Sequence, residues 1–128
     1  VTAQQVSEDV RATIWTRSAG ICEKCGRAAA TEVHHRCGRK MGGTVRRWIN
    51  LPANLLHLCS PCHEFVTNTR GQRAFIETMG WLVREGIRLP SEIPVLLARG
   101  LVLLRDDGDV EFVPPGTARA KSIEEALS

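Results

Sequence analysis

Leu55-Leu-His-Leu-Cys59-Ser-Pro-Cys62-His63 is the stretch that decides the fold. Its apolar start, Leu55 to Cys59, reads as a short buried strand. Ser60-Pro61 then supplies an N-cap followed by proline at the first helical position. Cys62 and His63 are thereby expected in the first turn of a helix. Cys59 and Cys62 are two residues apart, and the same spacing occurs upstream at Cys22-Glu-Lys-Cys25, where Gly26 follows as a tight turn requires. Two such pairs supply four thiolates, the donor set of a tetrahedral structural zinc site. Disulfides are the competing reading, but a bridge within Cys-x-x-Cys is usually redox-active, and no βαβ context surrounds either pair. Cys37 is read as a free thiol, since the four paired cysteines already fill a tetrahedron.

Between the pairs, Thr31 to His35 reads as a second short strand, ending in His34-His35. A basic, glycine-containing loop follows, then Leu51-Pro-Ala-Asn54. The order is strand, loop, strand, helix. A zinc tying the second strand to the Cys22/Cys25 turn can hold His63 opposite the first strand. Adjacent residues of a strand face opposite ways, so His34 and His35 are expected to divide their work rather than share one ion. His57 is read as a strand residue near the cysteines, without a catalytic role.

The wider composition narrows the classes of function. The chain has 128 residues, which suits one domain with at most a small appendage. No run approaches the ~18 apolar residues of a membrane span. No positive-then-apolar leader is present, and a cytoplasmic protein is expected. Aromatics are only 5%, which disfavours the stacking platforms of single-strand binders. Arginines number 14 against 3 lysines, and five bases (Arg36, Arg39, Lys40, Arg46, Arg47) face one acid between Thr31 and Trp48. Six acids against three bases follow Leu104. The basic middle points to a polyanion.

His34-His35, Asn54 and His63, framed by both cysteine pairs, resemble the HNH endonucleases over about residues 8 to 70. The later segments Gly80-Trp81-Leu-Val, Ile93-Pro94-Val95 and Leu101 to Gly108 are similar to small HNH proteins of tailed phages. The resemblance implies an α+β chain with a ββα-metal core and a four-cysteine structural zinc at Cys22, Cys25, Cys59 and Cys62. It implies a metal-dependent DNA endonuclease in which His34 and His63 hold the catalytic ion and His35 is the general base. Asn54 would orient the base or stabilise the loop around the site. Mg²⁺ or Mn²⁺ suits the phosphate and oxygen ligands, while the imidazoles also suit Ni²⁺, Co²⁺ or Zn²⁺. Where many relatives carry a further His or Asn, this chain has Thr67 and Asn68, so a water or Asn68 is left to complete the shell. Arg36, Arg39, Lys40, Arg46 and Arg47 would contact flanking phosphates. The phage likeness adds the DNA-packaging terminase as a partner, with the host cytoplasm as location. A non-catalytic, zinc-stabilised nucleic-acid-binding or phage assembly module is the alternative.

Four segments are expected: a helical arm over 1–20, the nuclease core over 21–70, a helix and β-hairpin extension over 71–116, and a mobile tail from 117 that ends in a short helix at Ser122 to Leu127. Ser7 should cap a helix running to about Arg17, with Val10, Ile14 and Trp15 against the core. Ala74, Phe75 and Met79 should form the apolar side of a helix over 72–78. Asp106-Asp107-Gly108 signals a hairpin turn, and Trp48 reads as an apolar anchor.

Overall fold

In the computed structural model, residues 5–38, 46–86 and 88–128 are described. Helix α1 spans Glu8–Ser18, and Ser7 Oγ accepts from the Val10 N–H as its cap. It ends where Ala19 and Gly20 turn left-handed. Ile14 is buried as expected, but Trp15 is 58% exposed, its ring lying against His57 at the surface.

Strands β1 (Glu32–His35) and β2 (Leu55–Leu58) pair antiparallel, with His34 opposite Leu56 and His35 opposite Leu55. All four residues of β2 are buried, which explains its unbroken apolar run. Leu56 and Leu58, fully buried, each contribute about 1.5–3 kcal/mol of apolar burial. Short 3₁₀ turns at Arg47–Asn50 and Pro52–Asn54 lead into β2. Helix α2 (Ser60–Thr67) begins directly after β2. Its cap residue is Cys59 rather than Ser60, so Ser60 and Pro61 open the helix and Cys62 and His63 lie in its first turn.

Helix α3 (Arg73–Thr78) packs through Ile76, with Phe75 half-buried, while Ala74 is exposed. A three-stranded antiparallel sheet follows, built from β3 (Val95–Leu97), β4 (Gly100–Leu104) and β5 (Val110–Phe112). The Asp106-Asp107-Gly108 turn joins β4 to β5, and Asp107 Oδ1 accepts from the Asp109 N–H. The short helix expected at the end of the tail is present and starts earlier: Thr117 caps helix α4 (Ala118–Leu127), which buries Ala120 and Ile123. One apolar core unites Cys22, Leu56, Leu58, Val66, Met79, Val102 and Ile123, so it crosses the boundaries expected at 70 and 116. The chain is therefore α+β, with two small sheets and four α-helices among the described residues.

Two buried arginines join these parts. Arg17 of α1 clasps Glu23 with two bonds of 2.8 Å and donates to the Pro52 and Leu55 carbonyls. Glu23 in turn accepts from the His57 N–H, so helix, cysteine turn and β2 share one network. Arg36, with no exposure, donates to the carbonyls of Gly80, Ala53, Pro90 and Ile93. Burial lowers its pKa to about 9, so it stays charged at neutral pH, with no carboxylate partner among the described residues. Gly80 permits this arrangement: its φ is +82°, and a Cβ there would fall into the Pro94 carbonyl and within 2.7 Å of Val95 Cα.

Candidate functional site

The two Cys-x-x-Cys turns meet. The sulfurs of Cys22, Cys25, Cys59 and Cys62 all lie within 4.8 Å of one another, and Cys25 and Cys59 are 4.0 Å apart. The first turn closes through Gly26 N–H to the Cys22 carbonyl (2.8 Å), with the Cys25 N–H directed at Cys22 Sγ (3.5 Å). The second pair straddles the junction of β2 and α2. Backbone N–H groups of Ala28 and Arg27 lower the Cys25 pKa to about 6. Burial, with the neighbouring sulfurs of Cys59 and Cys22, raises that of Cys62. Four thiolates this close need a cation to offset their repulsion. The donor set fits one structural metal ion such as zinc. Cys37 stands apart, buried with a free thiol whose pKa is raised by burial.

A second cluster lies where β1 meets α2. The His34 and His63 rings are edge to face, with centroids 5.2 Å apart. His34 is 3% exposed, and its Nε2 lies 2.8 Å from the Trp81 carbonyl. A carbonyl only accepts, so Nε2 carries the proton and Nδ1 the lone pair. Burial keeps this ring neutral, its pKa lowered to about 4. On His63 the roles reverse: Nδ1 lies 2.5 Å from Glu32 Oε1, leaving Nε2 as the lone-pair nitrogen of the neutral ring. Hydrogen bonds from His63 and the Ser60 side chain hold the Glu32 carboxyl below the usual range. Each imidazole is thus fixed through one nitrogen by a carbonyl or carboxylate, the support that metal-binding histidines ordinarily have. Among the described residues, the four cysteines are the group whose ligand atoms all gather within reach of one ion; Glu32, His34 and His63 are not so close-set.

The Trp81 carbonyl is well placed for this task. Its indole N–H donates to the Leu96 carbonyl at 2.7 Å, and its ring lies edge-on between Phe65 of α2 and Phe75 of α3. The Lys24 ammonium sits 4.3 Å from the Trp81 ring centre. Val83 N–H donates to the Arg36 carbonyl, so the 80–83 segment runs alongside the end of β1.

His35 turns away from His34 and meets Asn50 Oδ1 through Nε2 at 2.8 Å. That bond places the proton on Nε2 and makes Nδ1 the basic nitrogen. Asn54 bonds only to backbone of the loop ends among the described residues. Buried without exposure, it accepts from the Cys37 N–H and donates to the Cys37 and Ile49 carbonyls, so it clamps the loop ends and does not touch the base. Thr67 donates its hydroxyl to the His63 carbonyl, and Asn68 is exposed at the end of α2. His57 is a structural residue, bonded through Nδ1 to Ser18 Oγ at 2.7 Å.

The expected phosphate contacts fare unequally. Arg36 is corrected: its guanidinium is buried on four carbonyls and cannot reach a phosphate. Arg39 and Lys40 lie outside the described residues. Arg46 pairs with Glu85 and lies over the Trp48 ring, while Arg47 is exposed. Glu32 and Asn50 are the residues the sequence reading missed. Glu32 had a signal, since it precedes His34 by two and shares its strand face; Asn50 had none beyond proximity to a turn. The chain matches no protein-family model, no curated protein and no solved structure.

Proposed function

We propose that this chain is a metal-dependent DNA endonuclease of the HNH type, with β1, β2 and α2 as its ββα-metal core. The observation that carries the reading is the pairing of His34 with His63, each fixed through its outer nitrogen, beside a base-configured His35 on the opposite strand face. A zinc-binding module without catalysis needs the cysteines but gives no reason for this set of imidazoles.

His34 Nδ1 and His63 Nε2 are the nitrogens that would hold a divalent ion. When bound, that ion supplies charge neutralisation at the phosphate and a Lewis acid for the leaving oxygen. The protein's own work is the rest. His35 Nδ1 accepts a proton from the attacking water, while Asn50 holds the ring through Nε2. The water oxygen forms the new bond to phosphorus, the bond to the leaving sugar oxygen breaks, and that oxygen takes a proton from solvent. Glu32 fixes His63, and the Trp81 carbonyl fixes His34 in its neutral tautomer. Arg47 supplies positive charge for the DNA backbone near this turn.

Incubating supercoiled plasmid with the zinc-loaded protein and added Mg²⁺ or Mn²⁺ tests the proposal. Relaxed or linear product is expected, and it should disappear in His35→Ala while zinc content and thermal unfolding stay unchanged. Intact plasmid under every divalent ion, including Ni²⁺ and Co²⁺, would overturn it.

A further inference from the structure

An open cleft of about 430 Å³ lies between α3, α4 and the chain around residue 83. Leu82, Val83 and Ile93 contribute apolar wall, and Arg84, Arg88 and Arg119 contribute three guanidiniums. Carboxylates are fewer than cations here. Glu77 alone faces the cleft, and it already serves two arginines: Arg84 Nε lies 3.0 Å from both its oxygens, and Arg73 Nε lies 2.8 Å from one. Arg119 is steadied by the Thr78 carbonyl at 3.4 Å. Arg88 is exposed, with no hydrogen bond or ion pair among the described residues.

The cleft is joined to the histidine cluster by backbone. Its wall at Leu82 and Val83 continues directly from Trp81, whose carbonyl holds His34, and the Val83 N–H is bonded to Arg36. Arg88 also lines a neighbouring hollow that reaches Trp48, two residues from the Asn50 that holds His35. That hollow has its own carboxylates, Glu85 and Glu92, so the excess positive charge lies on the Arg84–Arg88–Arg119 side.

The geometry points to this cleft as a second phosphate-binding surface, which takes the backbone of duplex DNA flanking the cut. The inference rests on the endonuclease reading and extends it to residues that the basic run at 36–47 does not include. Low-dielectric walls concentrate the field of the cations above them. Guanidiniums match phosphate oxygens in bidentate geometry. The cleft supplies positioning rather than base readout, since its charge meets only the sugar-phosphate backbone.

Binding of a 40-base-pair duplex is followed by fluorescence anisotropy over a series of salt concentrations, in the His35→Ala background to prevent cutting. The R88Q/R119Q double variant should bind about 10- to 100-fold more weakly at low salt. The slope of log K against log salt should become shallower by about 2, near 0.9 for each lost contact. R88Q alone, at an exposed position without hydrogen-bond or ion-pair partners among the described residues, should account for about half of that change, so a folding defect at Arg119 cannot mimic the result. An unchanged slope in both variants, with normal binding by the background protein, overturns the cleft and leaves the endonuclease reading intact. An arginine-dependent slope in a protein whose His35 form cuts nothing supports the cleft and overturns the endonuclease reading. Arginine-dependent capture of a poly-glutamate peptide, with the DNA slope unchanged, overturns the proposal in favour of an acidic protein partner.

Discussion

The cysteine cluster and the histidine cluster both draw on the first turn of α2, through Cys62 and His63, yet they are built on opposite plans. The four sulfurs come from two local turns and lie within 4.8 Å of one another. The two imidazoles come from β1 and α2, and groups outside those elements or on the strand face hold them from behind. A closed set of four ligands leaves no place for a substrate, whereas two imidazoles leave coordination positions open. On the proposed reading, the contrast teaches that the cysteine site would hold the chain together and the histidine site would be left open for exchange.

The harshest way to break the comparison is Cys59→Ser. It removes a ligand from the closed set, where structural zinc sites are worth about 10–16 kcal/mol in apparent binding free energy. Loss of bound zinc and of the cooperative unfolding transition is expected by metal analysis and circular dichroism; a folded, metal-free variant would reverse the assignment. Next comes His35→Ala, which should lower plasmid cleavage by about 10²- to 10⁴-fold with the unfolding midpoint retained.

Arg36→Met sharpens the contrast from the side of the scaffold. Leaving four buried carbonyls without their donor should cost about 4 kcal/mol in denaturant unfolding. Weakened DNA affinity with unaltered stability would return Arg36 to the phosphate-contacting set. Glu32→Gln should leave zinc content unchanged and weaken the hydrolytic ion about 10- to 100-fold, measured by titrating cleavage against Mn²⁺. Equal ion requirements in the two proteins would remove Glu32 from its positioning role.

The smallest effect is one of pH. The His34 pKa is lowered by burial to about 4, below the ordinary value of 6.5, so below 6.5 the unfolded chain takes up a proton that the folded chain refuses. Its contribution to stability is therefore complete above about pH 6.5 and declines as pH falls towards 4. Nitrogen-detected NMR of the protein without the hydrolytic ion should show a neutral His34 ring, protonated on Nε2, at pH 5.5.

What the sequence disclosed follows from the range of the interactions concerned. The cysteine turns, β1, β2 and α2 are written in spacings of two to four residues, and those were legible. Asn54 was legible as a loop residue because proline and the following apolar strand frame it. Arg36 was not legible, because an arginine in a basic run looks solvated until carbonyls from residues 53, 80, 90 and 93 are brought around it. The last helix was legible only in its second half for a similar reason: the apolar contact that docks α4 is Ile123 against a core assembled from the rest of the chain. Asn50 replaced Asn54 as the partner of His35 because the 3₁₀ turn at 47–50, not the one at 52–54, approaches that ring.

The hydrogen bond from His34 to the Trp81 carbonyl has an implication for engineering. Residues 21–70 cannot be treated as a portable cassette. Grafted into another host, they would carry every imidazole and thiol yet leave behind the backbone atom that sets one ring's tautomer, so a transplant must include the indole-bearing segment after α3 to retain its chemistry.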